Sequence, residues 1–496
     1  MKNNITPKTK VYVLYTGGTF GMRPDPNKPG NPLSPMEMSD LQKTLSDREN
    51  LAEGVQVTME RFERLIDSSS MQPNDWKNIA RKIYENYDKY DGFVIIQGTD
   101  TMSYTSSALS FMFENLGKPV VITGSQLPLM NPRTDAWLNY GHALMVAGYK
   151  ATDLPLISEV VVVFADRILR GCRTRKMSAA SWTGFDSPNA PPLGEIGEHI
   201  RIYENQLRPA PPPDRKLQLI DSIQENVLDI SLYPGFKETQ LKAIDGLDVS
   251  GIILRTYGSG NAPGDNAFLK ALTEFTRHNN RTVINISQCP QGSVEMGLYE
   301  ASVGLIDAGV ISGLDMTPEA ALTKLMITLG NRVGQQVNLQ MQIDQRGEQS
   351  QNMFDFIFKV KDKLDSNSHV DFVVPDRRFS ADYINVVTLR IKNLKVKTDT
   401  DSKKTEKKKT GVVGQIYLFM NMPHAKLDAL KEGTHPRLIH TIDIKGNEFT
   451  GDIVQSLRKD QVKNIIGDSD IVLSLVPSEG LQFSFDKLNL AFLTQA

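Results

Sequence analysis

Three short segments carry the residue types from which a catalytic site can be built. Thr16-Gly17-Gly18-Thr19, Gly98-Thr99-Asp100-Thr101 and Gly124-Ser125-Gln126 each follow an apolar run directly. Their hydroxyls offer nucleophiles and hydrogen-bond donors, and Asp100 adds one carboxylate. The glycines allow the backbone to approach a ligand, where its N–H groups can stabilise a developing oxyanion. A threonine hydroxyl is a weak nucleophile at neutral pH and needs a neighbouring base or a strong local field. Phosphate cradling is a poorer fit. TGGTFG lacks the G-x-G-x-x-G spacing, and no lysine follows its glycines as a Walker loop requires.

These segments need rigid elements behind them, and the surrounding pattern supplies a parallel α/β sheet. Residues 11–15 (VYVLY), 93–97 (FVIIQ), 120–123 and 159–165 (EVVVVFA) read as buried strands. Between them, Trp76, Ile79, Ala80, Ile83 and Tyr87 recur at helical spacing after Pro73, and residues 103–115 are also helix-like. In such sheets ligands bind beyond the carboxyl ends of the strands, where the three hydroxyl-bearing segments fall. A proline-rich stretch at 209–213 interrupts the rhythm, which resumes with strands at 249–254 and 282–286 and helices at 266–278 and 318–329.

Taken together the strings are specific. YTGGTFGM at 15–22, residues 91–129, RGCRTRK at 170–176, SPN at 187–189, RTYGSGNAP at 255–263 and DMTPEAALTKL at 315–325 resemble the L-asparaginases, in particular the bacterial type I class. The resemblance spans about residues 8–346. It implies the two-domain fold of that family, with parallel-sheet α/β domains at 1–210 and 225–346, and hydrolysis of L-asparagine to L-aspartate and ammonia through a β-acyl-enzyme. It also implies that Thr19 is the primary nucleophile, that Thr99, Asp100 and Lys176 form a second catalytic group, and that Asp67, Ser68 and Ser69 hold the substrate's α-amino and α-carboxylate ends. No cofactor is implied. Taken singly, Thr19 and Thr99 are equally suited to capping helices, Asp100 to a solvated cap and Lys176 to a surface charge.

Two departures from the family pattern stand out. Many asparaginases carry a lid tyrosine about ten residues after the nucleophile, whereas here no tyrosine occurs between Tyr15 and Tyr84. Tyr299 is the expected stand-in, contributed across a subunit interface. Arg255 and Cys289 match positions of the family's regulatory asparagine site, but Arg175 stands where a small hydroxyl residue occurs, and its long cation is expected to fill that pocket.

Beyond about residue 347 the texture changes to alternating strands, read as a separate, mostly antiparallel, β-sandwich-like domain at 352–496. The phase of apolar residues slips between Ile391 and Leu394, the mark of a bulge. The charged run at 399–410 reads as a solvated hairpin loop. The resemblance does not extend into this domain, and covering an oligomer interface is its expected role.

The chain's 496 residues carry a net charge of -2, which argues against nucleic-acid binding, and no apolar run approaches the ~20 residues of a membrane span. Cys172 and Cys289 are the only cysteines, too few to staple a chain of this size, and the N-terminus has no secretion-type apolar stretch. A cytoplasmic protein is therefore expected, and the resemblance implies a homodimer or homotetramer. Metal binding is not expected, because His435 and His440 offer neither His-x₃-His spacing nor a nearby Cys pair. Two other readings remain open: an amidotransferase subunit that supplies ammonia for tRNA-dependent amidation, and a binding protein that acts through its C-terminal β domain.

Overall fold

The computed structural model describes residues 9–25, 27, 29–31, 33–46, 52–277, 281–296, 300–359, 370–374, 384–398, 412–421, 437–445, 448–458, 471–478 and 481–495. Tyr299, His435 and the run at 399–410 lie outside them. Contacts divide the chain into two units, residues 1–350 and 351–496.

The first unit opens with an eight-stranded sheet. Its strands are β1 (Thr9–Tyr15), β2 (Val55–Arg61), β3 (Gly92–Ile96), β4 (Val120–Thr123), β5 (Val160–Phe164), β6 (Arg167–Arg170), β7 (Gly194–Ile196) and β8 (Ile200–Ile202). The spatial order is β8-β7-β6-β5-β4-β3-β1-β2. Strands β2, β1, β3, β4 and β5 run parallel, while β6, β7 and β8 extend the sheet antiparallel. The change of direction is local. Only Ala165 and Asp166 separate β5 from β6, too few residues for a crossover, and Ala165 takes φ 52° to close the hairpin.

Helices α1 (Pro73–Asn86), α2 (Met102–Met112) and α3 (Ala136–Ala147) cover this sheet. The start of α1 is set by Pro73 in its first turn and by Asp75, whose carboxylate accepts from Gln72 N at 2.9 Å. Its buried face, Trp76, Ile79, Ala80 and Ile83, packs in one core with Leu14, Phe93 and Ile95. The opposite faces of the same strands, including Val13, Val94 and Ile96, share a second core with Tyr140, Leu144 and other residues of α3. Strands buried on both sides account for the nearly unbroken apolar runs in the sequence.

A second sheet follows, all parallel, in the order β9 (Val227–Ser231), β10 (Gly251–Thr256), β11 (Thr282–Ser287) and β12 (Ile311–Ser312). Helix α4 (Asn266–Arg277) packs Phe268, Leu272 and Phe275 on one face of it. On the other side lies α5 (Pro318–Asn331), whose Ala321 and Leu325 meet Ile253 and Ile284. Thr317 caps α5, its Oγ1 accepting from Ala320 N at 3.1 Å.

The second unit holds two antiparallel sheets. One joins β13 (Gln351–Lys359), β21 (Lys487–Gln495), β15 (Ile384–Thr398) and β18 (Glu448–Arg458), with β20 (Leu481–Ser484) also pairing β15. The other runs β14 (Val370–Val373), β19 (Val472–Pro477), β16 (Val412–Met420) and β17 (Leu438–Lys445). Phe372 on β14 lies 5.2 Å from Phe358 on β13 and 6.0 Å from Phe485 (ring centroids), so aromatic side chains meet between the sheets. The expected bulge is present: pairing of β15 with β18 shifts register between Ile391 and Leu394, where Asn393 takes φ 53°. No described helix is long and apolar enough to cross a membrane.

Candidate active site

The carboxyl ends of β1, β2 and β3 lie side by side, and the chain segments leaving them touch. Ile66, five residues beyond β2, donates its N–H to Thr16 O at 2.8 Å, and Thr16 N donates to Ile96 O at 2.9 Å. Gly17 takes φ 127°, and a β-carbon there would sit 2.4 Å from Ile66 O. Gly18 takes φ 85°, and its β-carbon would meet Gly98 N at 2.3 Å. Both glycines are therefore required by conformation and by space. The turn they allow delivers Thr19 at the head of a short 3-10 segment, Thr19–Gly21. Phe20 anchors that segment in the core against Tyr140. Thr19 is partly exposed, and among the described residues its hydroxyl makes no hydrogen bond.

Residues 67–70 pack against the turn that follows β3. Ser68 is buried, its Oγ accepts from Asp100 N at 3.3 Å, and its carbonyl accepts from Thr101 Oγ1 at 2.8 Å. Asp67 caps its own turn by accepting from Ser69 N at 3.0 Å. The predicted substrate segment and the predicted Thr99–Asp100 pair are thus brought into contact. Sequence reasoning missed how this happens, since β2 was not recognised as a strand. Its VQVTMER alternates only weakly, and it lies exposed at the sheet edge, where burial leaves little pattern.

Lys176 arrives from the far side of the sheet. Residues Arg175–Lys176 pair antiparallel with Phe185–Asp186, and Lys176 Nζ reaches Thr99 Oγ1 at 2.9 Å and Asp100 Oδ1 at 2.7 Å. The lysine side chain is 18% exposed and that of Asp100 62%, so the pair sits at the mouth of the site. The segment bearing Lys176 is fixed from behind. Arg170 donates to Glu159, and Arg173 donates to Asp315, Gly347 O and Ser350 Oγ. Cys172 lies between those arginines, fully buried, and burial pushes its thiol up to about 12, which leaves it unreactive.

The third predicted segment turns away from this group. Ser125 Oγ donates to Leu127 O, and Gln126 Nε2 donates to Ser181 O in the loop after Lys176. Those two residues shape local turns, and neither contacts Thr99 or Lys176 in a hydrogen bond among the described residues.

Arg175, Arg255 and Cys289 occupy a different place. Arg255 forms a two-pronged ion pair with Asp229 on the neighbouring strand, with Nε to Oδ1 at 2.7 Å. Arg175 Nε lies 3.7 Å from Glu319 Oε1 at the start of α5. Burial raises the Glu319 carboxyl, and the Arg175 and Arg255 charges partly offset that rise. The two arginines therefore act on one buried carboxylate. Cys289 is exposed, two residues beyond β11, and its N–H donates to Ser287 Oγ at 3.0 Å. No group of three or more His, Cys, Asp or Glu suited to a metal occurs among the described residues.

Comparison with known proteins places this arrangement among relatives. Residues 10–208 match the family described as "Asparaginase, N-terminal", and residues 226–338 match the "Glutaminase/Asparaginase C-terminal domain". L-asparaginase 1 of Escherichia coli (strain K12) is 43% identical over 328 residues, covering 66% of this chain and 93% of that protein. The crystal structure of L-asparaginase I from Vibrio cholerae superposes with a TM-score of 0.63 at 40% identity, covering 69% of this chain and 99% of the other. A glutamyl-tRNA(Gln) amidotransferase subunit of Thermoplasma volcanium is 31% identical over 333 residues, covering 66% of this chain and 77% of its own length.

Proposed function

The chain belongs to the asparaginase family, and on that premise we propose that it hydrolyses the side-chain amide of L-asparagine to L-aspartate and ammonia. The observation that carries this reading is the contact of Lys176 Nζ with both Thr99 Oγ1 and Asp100 Oδ1, close beyond the strained turn that presents Thr19. In the proposed reaction Thr19 Oγ adds to the amide carbon and gives up its proton. The tetrahedral oxyanion collapses, the C–N bond breaks, and ammonia leaves with a proton. Water then attacks the β-acyl ester and restores Thr19. Backbone N–H groups of the glycine turns suit the oxyanion, at ~3–4 kcal/mol for a well-placed donor.

In this reading Thr99 and Lys176 move protons, and Asp100 holds the lysine in place. Asp67, Ser68 and Ser69 receive the α-amino and α-carboxylate ends of the substrate. Tyr299, supplied across an interface, serves as the lid group. The two catalytic domains span residues 1–210 and 225–346, residues 352–496 are an added β-rich domain, and the enzyme works in the cytoplasm as a homodimer or homotetramer. Its near-neutral charge fits a free amino acid as substrate better than tRNA. Arg175, already engaged with Glu319, occupies the space of a regulatory asparagine, so rate should follow substrate concentration without sigmoidicity.

The test is Lys176→Met beside Lys176→Arg. Because Asp100 is well exposed, loss of the ion pair should change stability by no more than ~1 kcal/mol. Loss of proton transfer should lower kcat by about 10²- to 10⁴-fold. Arginine keeps the charge but holds its proton, so it should not restore turnover. Near-normal activity in either variant would refute the assignment.

A further inference from the structure

A second polar cavity, of about 200 Å³, lies at the opposite end of the strands from Lys176. It opens beside the start of β5 and is lined by Ser158, Arg170, Arg208, Pro209, Pro211 and Arg346. The catalytic reading makes no use of it. Its charges do not balance among themselves. Arg170 is matched by Glu159, with Nε to Oε2 at 2.6 Å, and Arg208 by Asp344, with Nη1 to Oδ2 at 2.6 Å. Glu348 is engaged by Lys324 at 2.5 Å, both side chains fully buried.

Arg346 is left over. Its Nε donates to Ser110 O and its Nη1 to Gln345 O, each at 3.0 Å, and among the described residues it makes no ion pair. Glu348 and Glu114 act on it only at longer range. An arginine cannot shed its proton, so a partly buried guanidinium held directly by neutral carbonyls has its charge offset only by those more distant carboxylates. On the wall of the same cavity, the Ser158 hydroxyl is buried and has no hydrogen-bond partner among the described residues. Buried polar groups are nearly always satisfied, by protein or by ordered water, so this hydroxyl is open to an acceptor held in the cavity.

We propose that this cavity binds a phosphate group, free or carried on a small metabolite, with Arg346 as its principal ligand and the Ser158 hydroxyl as a further donor. A guanidinium fork matches two phosphate oxygens. The rings of Pro209 and Pro211 give the remaining space an apolar wall suited to a short carbon chain.

Calorimetric titration of the full chain with inorganic phosphate, and separately with glycerol 3-phosphate, tests the proposal. Wild type should bind at one site per chain, and Arg346→Met should weaken that binding by about tenfold or more, as expected for loss of a charge-assisted hydrogen bond. Tighter binding of the ester would identify a carried phosphate, and tighter binding of the free ion would identify inorganic phosphate. Arg346 lies outside the catalytic set, so asparagine turnover of the variant reports its folding. If Arg346→Met fails to fold, Arg346→Lys serves: it keeps the charge and loses the fork, and should weaken binding by several-fold. Equal binding by wild type and a folded variant, absence of binding by both probes, or displacement of phosphate by saturating L-aspartate would overturn the proposal.

Discussion

Replacing Asp315 by alanine removes the carboxylate on which Arg173 depends, and the geometry sets the cost. The two side chains are 3% and 11% exposed, and Arg173 Nη1 donates to Asp315 Oδ2 at 2.9 Å. The same carboxylate accepts from Ser350 N at 2.9 Å and from Ser350 Oγ at 2.6 Å. In Asp315→Ala the guanidinium stays buried with only neutral acceptors, Gly347 O, Ser350 Oγ and the main-chain carbonyl of residue 315. Breaking a buried pair from one side costs roughly 3–5 kcal/mol, several times the worth of a surface pair. Arg173 lies three residues before Lys176, so its release also loosens the amine proposed to move protons, and a shift of about 1 Å can cost about 10²-fold in rate. Urea unfolding of wild type, Asp315→Ala, Arg173→Met and the double variant would measure the coupling. Each single variant should lose roughly 3–5 kcal/mol, and the double variant should lose much less than the sum, because no charge is left unpaired. Single losses below about 1 kcal/mol, or strict additivity, would refute the reasoning.

Two further perturbations follow from the same unit. Gly18→Ala places a methyl group 2.3 Å from Gly98 N at φ 85°, so turnover should disappear while the far-UV spectrum and the second sheet persist; an active Gly18→Ala enzyme would count against the close approach of these turns. Burial, reinforced by the Glu348 charge, pushes the Asp344 carboxyl up to about 6 from 3.8. The folded state then holds more protons than the unfolded chain, so this group's contribution to stability is full at low pH and is lost as pH rises from about 4 through about 6. Asp344→Asn should remove that component from the stability–pH curve, read as unfolding midpoints across this range, and an unchanged slope would contradict it.

Much of this was legible in the sequence where burial writes a strong pattern. Residues 120–123 form a strand as expected, and the helix begun at Pro73 runs to Asn86 with its predicted apolar face inward. The phase slip at Ile391–Leu394 is a register shift in the structure. Lys176, 76 residues from Asp100 in sequence, meets both Thr99 and Asp100 within hydrogen-bonding distance. The illegible parts have separate physical causes, and the first is that pattern fades where one side of an element faces water. Exposed β2 was missed, and with it the route by which residues 62–70 reach the site. The short antiparallel strands β6, β7 and β8 were also missed, because three- or four-residue strands give almost no period. Arg173, Asp315 and Arg346 read as ordinary charges until the fold buries them, since pairing between distant residues leaves no local trace.

The central claim is best tested by ammonia release from L-asparagine, measured for wild type and for Thr19→Ala with L-glutamine in parallel. The account predicts that wild type turns over asparagine in preference to glutamine, which differs by one methylene worth ~1–3 kcal/mol. It predicts that Thr19→Ala, still folded, loses at least about a thousandfold in rate, because no acyl-enzyme can form. A folded wild type that releases no ammonia from asparagine, or a Thr19→Ala enzyme that keeps its turnover, would contradict it.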